Sequence, residues 1–243
     1  MSTKRRESIA YGLRAALAIA DRRPESILRV FHSAARRREV APLLKACAAQ
    51  RRPYRELDDI SLQRVAKTQH HEGVVVITEP LRALHLEAAI DRRPPIWLAL
   101  DRVGNDHNIG AIARTMAWFG VRPLLWEAPS GHLSGAALRI AQGGLECVDR
   151  VAVPDLIPAL RRLKEVGVVL IGATQGARSS CFAPLPSAPI CWILGNERRG
   201  VSDEVLGLCD ERREIPGAGE IESLNVSVSA SILLAESRRQ LGG

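Results

Sequence analysis

Three stretches of this chain set polar side chains where a strand end or a turn gives way to a helix. Residues 215–236 read IPGAGEIESLNVSVSASILLAE. Pro216, Gly217 and Gly219 turn the chain, and the glycines let the backbone approach a ligand closely. A helix is expected over 223–240, with Ser223 and Asn225 in its first turn, where unpaired backbone N–H groups point outward. Residues 193–202 read ILGNERRGVS. Glu197 follows a wholly apolar strand, so its charge must reach solvent or meet a partner; Arg198 and Arg199 beside it could hold phosphates. Residues 105–120 read NDHNIGAIARTMAWFG. Asn108 stands at the start of a helix whose inward face is Ile109, Ile112, Ala113 and Met116, with Gly120 as its stop. Each stretch also has a plainer reading. Ser223 and Asn108 suit N-caps, Arg114 suits an exposed helix face, and Ser227, Ser229 and Ser231 are hydroxyls that a buried helix satisfies on the carbonyl four residues back.

One further pattern suggests a nucleotide site. Gly217-Ala218-Gly219 begins like the dinucleotide-binding loop GxGxxG, but its third position is Glu222 and it lies near the C-terminus rather than after a first strand. That reading is set aside. The five cysteines, Cys47, Cys147, Cys181, Cys191 and Cys209, are dispersed with no CxxC pair. They are expected to be reduced thiols of a cytoplasmic protein, neither a zinc site nor a disulfide framework. No apolar run is long enough to span a bilayer, and no signal peptide is legible.

The elements that would position these groups alternate along the chain. Short apolar strands are expected at 96–100, 124–126, 168–173, 190–194 and 214–215. Helices are expected at 109–119, 135–141, 154–166, 202–208 and 223–240. This order implies an α/β fold with a parallel sheet covered by helices, and ligands of such sheets lie beyond the carboxyl ends of the strands. Before it, residues 1–77 form a compact α/β unit: helical spacing over 9–20, a strand at 27–32, helices at 39–50 and 61–67, and a strand at 74–78. Residues 78–93, which end in a charge cluster just ahead of Pro94-Pro95, connect it to a second module over 94–243.

Charge separates the two modules. Residues 1–90 carry 17 Lys plus Arg against 10 Asp plus Glu, whereas residues 91–243 carry 17 of each. The whole net charge of +7 therefore lies in the N-terminal third. Clusters at Arg36-Arg37-Arg38 and Arg51-Arg52 point to a polyanion as its partner.

Taken in this order, the three polar stretches resemble the signature motifs of the SpoU/TrmH family of RNA 2′-O-ribose methyltransferases, from about residue 96 to the C-terminus. The resemblance implies a sheet with a C-terminal trefoil knot, which is an exception to the usual rules of chain connection. It implies S-adenosylmethionine as cofactor, structured RNA (rRNA or tRNA) as substrate, a homodimer, and no membrane or metal. By the same likeness Asn108, Arg114, Glu197, Ser223 and Asn225 are catalytic positions. Ala173, Thr174, Leu194, Gly195, Asn196, Ile215, Ser223 and Leu224 contact the cofactor. Asp106 stands where the family usually has proline, and Gly217 where it often has methionine. The N-terminal unit is similar to the family's ribosomal-protein-like RNA substrate-binding domain, with Tyr11-Gly12 and His71-Glu72-Gly73-Val74 at its motif positions. His70 and His71 lack a partner at metal-ligand spacing, so a structural or RNA-facing role is expected. The alternative function is a catalytically silent RNA-binding protein that keeps the fold.

Overall fold

The computed structural model describes residues 7–127 and 133–242. The basic residues Lys4, Arg5 and Arg6 lie outside them. In chain order the elements are β1 (Ser8–Tyr11), α1 (Leu13–Arg22), β2 (Ile27–His32), α2 (Ala41–Ala49), β3 (Tyr54–Glu56), α3 (Asp59–Ala66) and β4 (Val74–Thr78). There follow α4 (Leu86–Ile90), β5 (Ile96–Asp101), α5 (Asp106–Trp118), β6 (Pro123–Glu127), α6 (Gly135–Ala141), α7 (Gly144–Cys147) and β7 (Asp149–Val153). The chain ends with α8 (Leu156–Glu165), β8 (Val169–Ala173), β9 (Ser179–Ser180), β10 (Ile190–Gly195), α9 (Asp203–Leu208), β11 (Glu211–Glu214) and α10 (Val226–Gln240). They divide into two compact units, one of residues 7–82 with 133–146 and one of residues 83–127 with 147–242.

The first unit is a four-stranded sheet in the order β1-β4-β2-β3. Its central strand β4 is buried throughout, as its run of valines and isoleucine requires. Residues 9–20 do not form one helix. Ile9 lies in β1, and its spacing of four to Leu13 imitates a helical pattern across the strand-to-helix turn. Gly12 makes that turn at φ 94°, a conformation a side chain would strain. The first turn of α1 is then capped from a distance, because Leu13 N–H donates to the Glu72 carboxylate at 3.1 Å. His71 is structural: its Nδ1 accepts from Gly73 N–H at 3.1 Å and its ring is buried.

Helix α6 forms at the expected residues but belongs to this first unit, not to the second module. Gly135 explains the docking. A Cβ there would stand 2.4 Å from the Tyr11 ring and 2.7 Å from the Ile9 carbonyl, so only glycine permits this approach to β1. Beyond it, Glu146 takes a bidentate grip from Arg23 at 2.7 and 3.0 Å, with both side chains largely buried.

The second unit is a seven-stranded sheet in the order β7-β6-β5-β10-β8-β11-β9, every pair parallel. Pleating sorts its side chains. Trp97, Ala99, Leu125, Leu170, Cys191 and Ile193 join one core cluster with Leu160 and Leu163 of α8 and Val205 of α9. Helix α10 takes the other face, where the Trp192 indole N–H donates to Ser237 Oγ at 2.8 Å. Ser237 and Ser231 in turn donate to the carbonyls four residues back, at 2.7 and 2.8 Å, as expected of hydroxyls on a packed helix. Strands β3, β7 and β9 carry too little apolar pattern to announce themselves. Strand β11 sits at Glu211–Glu214, ahead of the expected 214–215, because its buried member is Arg213. That guanidinium is satisfied by Glu211 and by the carbonyls of Ala183 and Pro184.

Candidate functional site

Strands β8, β10 and β11 deliver the site at their carboxyl ends. After β10 the chain folds back on itself in a tight turn. A Cβ on Gly195 would meet the Gly200 carbonyl carbon at 2.0 Å, so the turn excludes every other residue type. Gly200 N–H donates to the Asn196 carbonyl at 2.8 Å, and Arg198 N–H to Asn196 Oδ1 at 3.0 Å. The base of the turn is held by the end of β5. Buried Asp101 accepts from Ser202 N–H at 2.6 Å and from Arg102 Nε at 3.1 Å, while Asn196 Nδ2 donates to the Arg102 carbonyl at 3.2 Å. The loop that carries Glu197 is thus fixed at both ends.

Glu197 terminates a directional hydrogen-bond chain. Asn225, and not Ser223, is the N-cap of α10, and Ser223 precedes the helix. Asn225 Oδ1 accepts from Ser227 N–H at 2.9 Å and from Ser227 Oγ at 2.6 Å. With its oxygen committed to the helix, its amide nitrogen faces away and donates to Asn108 Oδ1 at 3.1 Å. The Asn108 amide is thereby oriented as well, and its nitrogen donates to Glu197 Oε1. A backbone N–H at a helix start therefore dictates, through two amides, that Glu197 acts as an acceptor. Asn108 itself lies within the first turn of α5, behind the true N-cap Asn105, and is buried.

These segments enclose a cavity of about 310 Å³. Ala173, Thr174 and Gln175 form its wall after β8; Leu194, Gly195, Asn196, Glu197, Arg198 and Gly200 form the wall after β10. Ile215, Glu222, Ser223, Leu224, Val226 and Ser229 complete it. All eight positions expected to meet a cofactor lie on this wall. Glu197 and Ser223 do too, and Asn108 and Asn225 stand behind Glu197 through the amide chain. Arg114 is not brought to the cavity. It is exposed, without a side-chain partner among the described residues, and six positions beyond Asn108 along α5. That spacing turns it about a third of a revolution away and about 9 Å further along the helix. Asp101, Arg102, Gln175 and Glu222 are absent from the sequence expectation. Asp101 had a usable signal, a carboxylate closing an apolar strand, the same signal that singled out Glu197. Neither the buried Cys191 nor the half-buried Cys209 offers a nucleophile: burial raises Cys191 and pushes Cys209 up to about 11. Among the described residues no cluster of three His, Cys, Asp or Glu side chains could hold a metal ion, and no helix is long and apolar enough to cross a membrane.

Comparison with known proteins settles the family. Residues 95–235 match the SpoU rRNA methylase family, and residues 9–84 match the model for RNA 2′-O-ribose methyltransferase substrate binding. The chain belongs to the SpoU rRNA methylase family. One SpoU relative, the 23S rRNA (guanosine-2′-O-)-methyltransferase RlmB of Neisseria meningitidis serogroup B, is 36% identical over 241 residues, covering 95% of this chain and 94% of its own. RlmB of Ralstonia nicotianae is 34% identical over 222 residues, 88% of each protein. Among solved structures, an rRNA methyltransferase from Sinorhizobium meliloti superposes with a TM-score of 0.81 at 23% identity, covering 99% of this chain and 90% of that one. The SpoU methyltransferase AviRb from Streptomyces viridochromogenes, solved with the cofactor AdoMet, gives 0.78 at 22% identity, covering 98% and 92%. These two likenesses establish the SpoU fold.

Proposed function

We propose that this chain transfers the methyl group of S-adenosylmethionine to the 2′-hydroxyl of a ribose in ribosomal RNA, and that a guanosine of 23S rRNA, named for the RlmB relatives, is its target. The observation that carries the reading is the meeting of three strand-end segments around one cavity with an oriented carboxylate, Glu197, on its wall. The cavity suits the cofactor. Its volume lies at the small end of sites that take molecules of this size. Leu194, Ile215 and Leu224 supply apolar contact for a purine, and Thr174, Asn196 and Ser223 supply polar groups for the ribose and amino-acid portions. When bound, S-adenosylmethionine supplies a methyl group activated by its sulfonium.

The protein's own groups then have two tasks, to orient the ribose and to take the proton of its 2′-hydroxyl. Glu197 Oε1 is held by Asn108, which leaves Oε2 to accept the proton of the 2′-hydroxyl. Arg114 cannot take a proton, since a guanidinium stays charged at any pH the protein meets. Exposed and without a side-chain partner among the described residues, it can clamp an RNA phosphate and so position the ribose. The same reading includes a trefoil threading of the C-terminal segment, a homodimer formed through the catalytic unit, and a cytoplasmic enzyme.

The test is methyl transfer from labelled S-adenosylmethionine to rRNA from cells lacking the protein, followed by mapping of the methylated ribose. Arg114→Ala should abolish transfer while calorimetry shows cofactor affinity nearly intact, and Arg114→Lys should recover little because a point charge cannot reproduce a bidentate grip. Glu197→Gln should slow turnover by about 10²-fold or more. A folded protein that binds the cofactor but methylates no rRNA would sink the substrate assignment. Loss of cofactor binding in Arg114→Ala would sink the role given to Arg114.

A further inference from the structure

Positive charge in the first unit is less available than its sequence suggests. Arg23, Arg29 and Arg139 are paired with Glu146, Glu7 and Glu72. Two arginines of the 36–38 cluster are occupied as well, Arg36 by Glu39 and Arg37 by Glu56. The arginines around β3 are different. Arg51, Arg52 and Arg55 have no carboxylate partner among the described residues. Arg51 and Arg52 lead into β3 and Arg55 lies within it, a strand that is the outer member of its sheet, pairs on one side only with β2, and is exposed at all three residues.

Tyr54 opens this edge strand, between Arg52 and Arg55 in the chain. Of the unit's aromatic residues, Tyr11 and Phe31 pack into its core, while Tyr54 is 48% exposed and takes no part in it. Cationic side chains on an edge strand can serve simply to block pairing with another strand. That purpose does not call for an aromatic ring, which exposes apolar surface to water. A ring set among unpaired guanidinium groups is instead what a single-stranded nucleic acid needs: a face on which an unpaired base stacks, and cations for the phosphates on either side. Duplex RNA cannot use the ring, because its bases already stack on one another.

Resting on the reading of this chain as an RNA methyltransferase, we propose that the β3 edge docks a single-stranded segment of the RNA substrate, with Tyr54 stacking on one base and Arg51, Arg52 and Arg55 holding neighbouring phosphates. In register, Tyr54 pairs with Val30 and Arg55 with Phe31, so the two side chains leave on opposite faces of the sheet and grip the strand from both sides of its edge.

The experiment uses the full chain and fluorescein-labelled RNA, one oligoribonucleotide offered single-stranded and as its duplex, read by anisotropy. The intact protein should prefer the single strand. Tyr54→Ala should weaken single-strand binding by about 10-fold and erase the preference, whereas Tyr54→Phe should keep both. Arg51→Glu with Arg55→Glu should weaken both RNAs and lower the dependence on salt. Cofactor affinity and thermal melting should be unchanged in every variant. Unaltered single-strand affinity in Tyr54→Ala, with the protein still methylating rRNA, overturns the proposal and leaves the enzymatic reading standing. A charge-reversed variant that changes sedimentation but not RNA binding overturns it in favour of a protein contact. An intact chain that binds neither RNA overturns both.

Discussion

Glu197, Asn108 and Asn225 show how one residue's chemistry is set by another's backbone. An asparagine amide can point either way, so its usefulness as a donor depends on what fixes it. Here Asn225 is fixed by its duty as N-cap, and the orientation passes through Asn108 to the carboxylate. Asn225→Asp separates the two duties. Aspartate caps as well as asparagine, so helix α10 and the melting temperature should hardly change. It has no N–H to offer Asn108, whose amide loses its orientation, and it sets a second negative charge near Glu197. Turnover should fall by about 10²-fold, the scale of losing one preorganised donor. Equal turnover in methyl transfer, with melting also unchanged, would show that the amide chain does not set the state of Glu197. Glu197 could be singled out in the sequence because its charge stands directly beyond an apolar strand. The cap could not: Ser223 is a good capping type, but Asn225 wins because its side chain reaches the Ser227 N–H once the preceding glycines have let residues 216–224 run as an open loop.

At the scale of elements, the loop after β10 depends on the strand beside it. Asp101 ends β5 in register with Gly195 at the end of β10, so its carboxylate sits at the point where the turn must close. It holds Ser202 N–H, just ahead of α9, and the neighbouring Arg102 carbonyl holds Asn196. Asp101→Asn keeps one acceptor for Ser202 but loses the charge-assisted bond to Arg102. A loosened turn should weaken cofactor binding by about 10-fold, roughly one such bond, with RNA affinity unchanged. Calorimetry with S-adenosylmethionine decides it, since a folded variant with wild-type affinity would mean that the turn holds its shape without this clamp. Elements whose signal is local were readable: β10, β5 and β4 are apolar runs, and α6 was placed correctly in the chain. What could not be read was partnership at a distance. The docking of α6 on β1 rests on Gly135 meeting Tyr11, and the cap of α1 rests on Glu72, 59 positions away. Neither leaves a pattern in its own segment.

For the whole molecule, the compact units sharpen the charge asymmetry seen in the sequence. Residues 1–82 with 132–146 carry 18 Lys plus Arg against 10 Asp plus Glu, and the remainder carries 16 against 17. A unit of net +8 and a unit of net −1 should answer salt differently. RNA binding that relies on phosphate contacts releases counterions, with about 0.7 of a logarithmic unit per contact on a single strand. Four contacts would give a slope near −3, which is about a 50-fold loss between 50 and 200 mM salt. Cofactor binding in the nearly neutral unit displaces no ordered ion atmosphere, so its affinity should stay flat across the same range. Measuring both dissociation constants on one preparation checks the assignment of tasks to units. If the two constants fall together with salt, the cofactor site shares the electrostatics of the RNA surface and the division of labour between the units is wrong. If RNA affinity is flat as well, RNA is recognised without phosphate contacts and the positive charge of the first unit serves some other end.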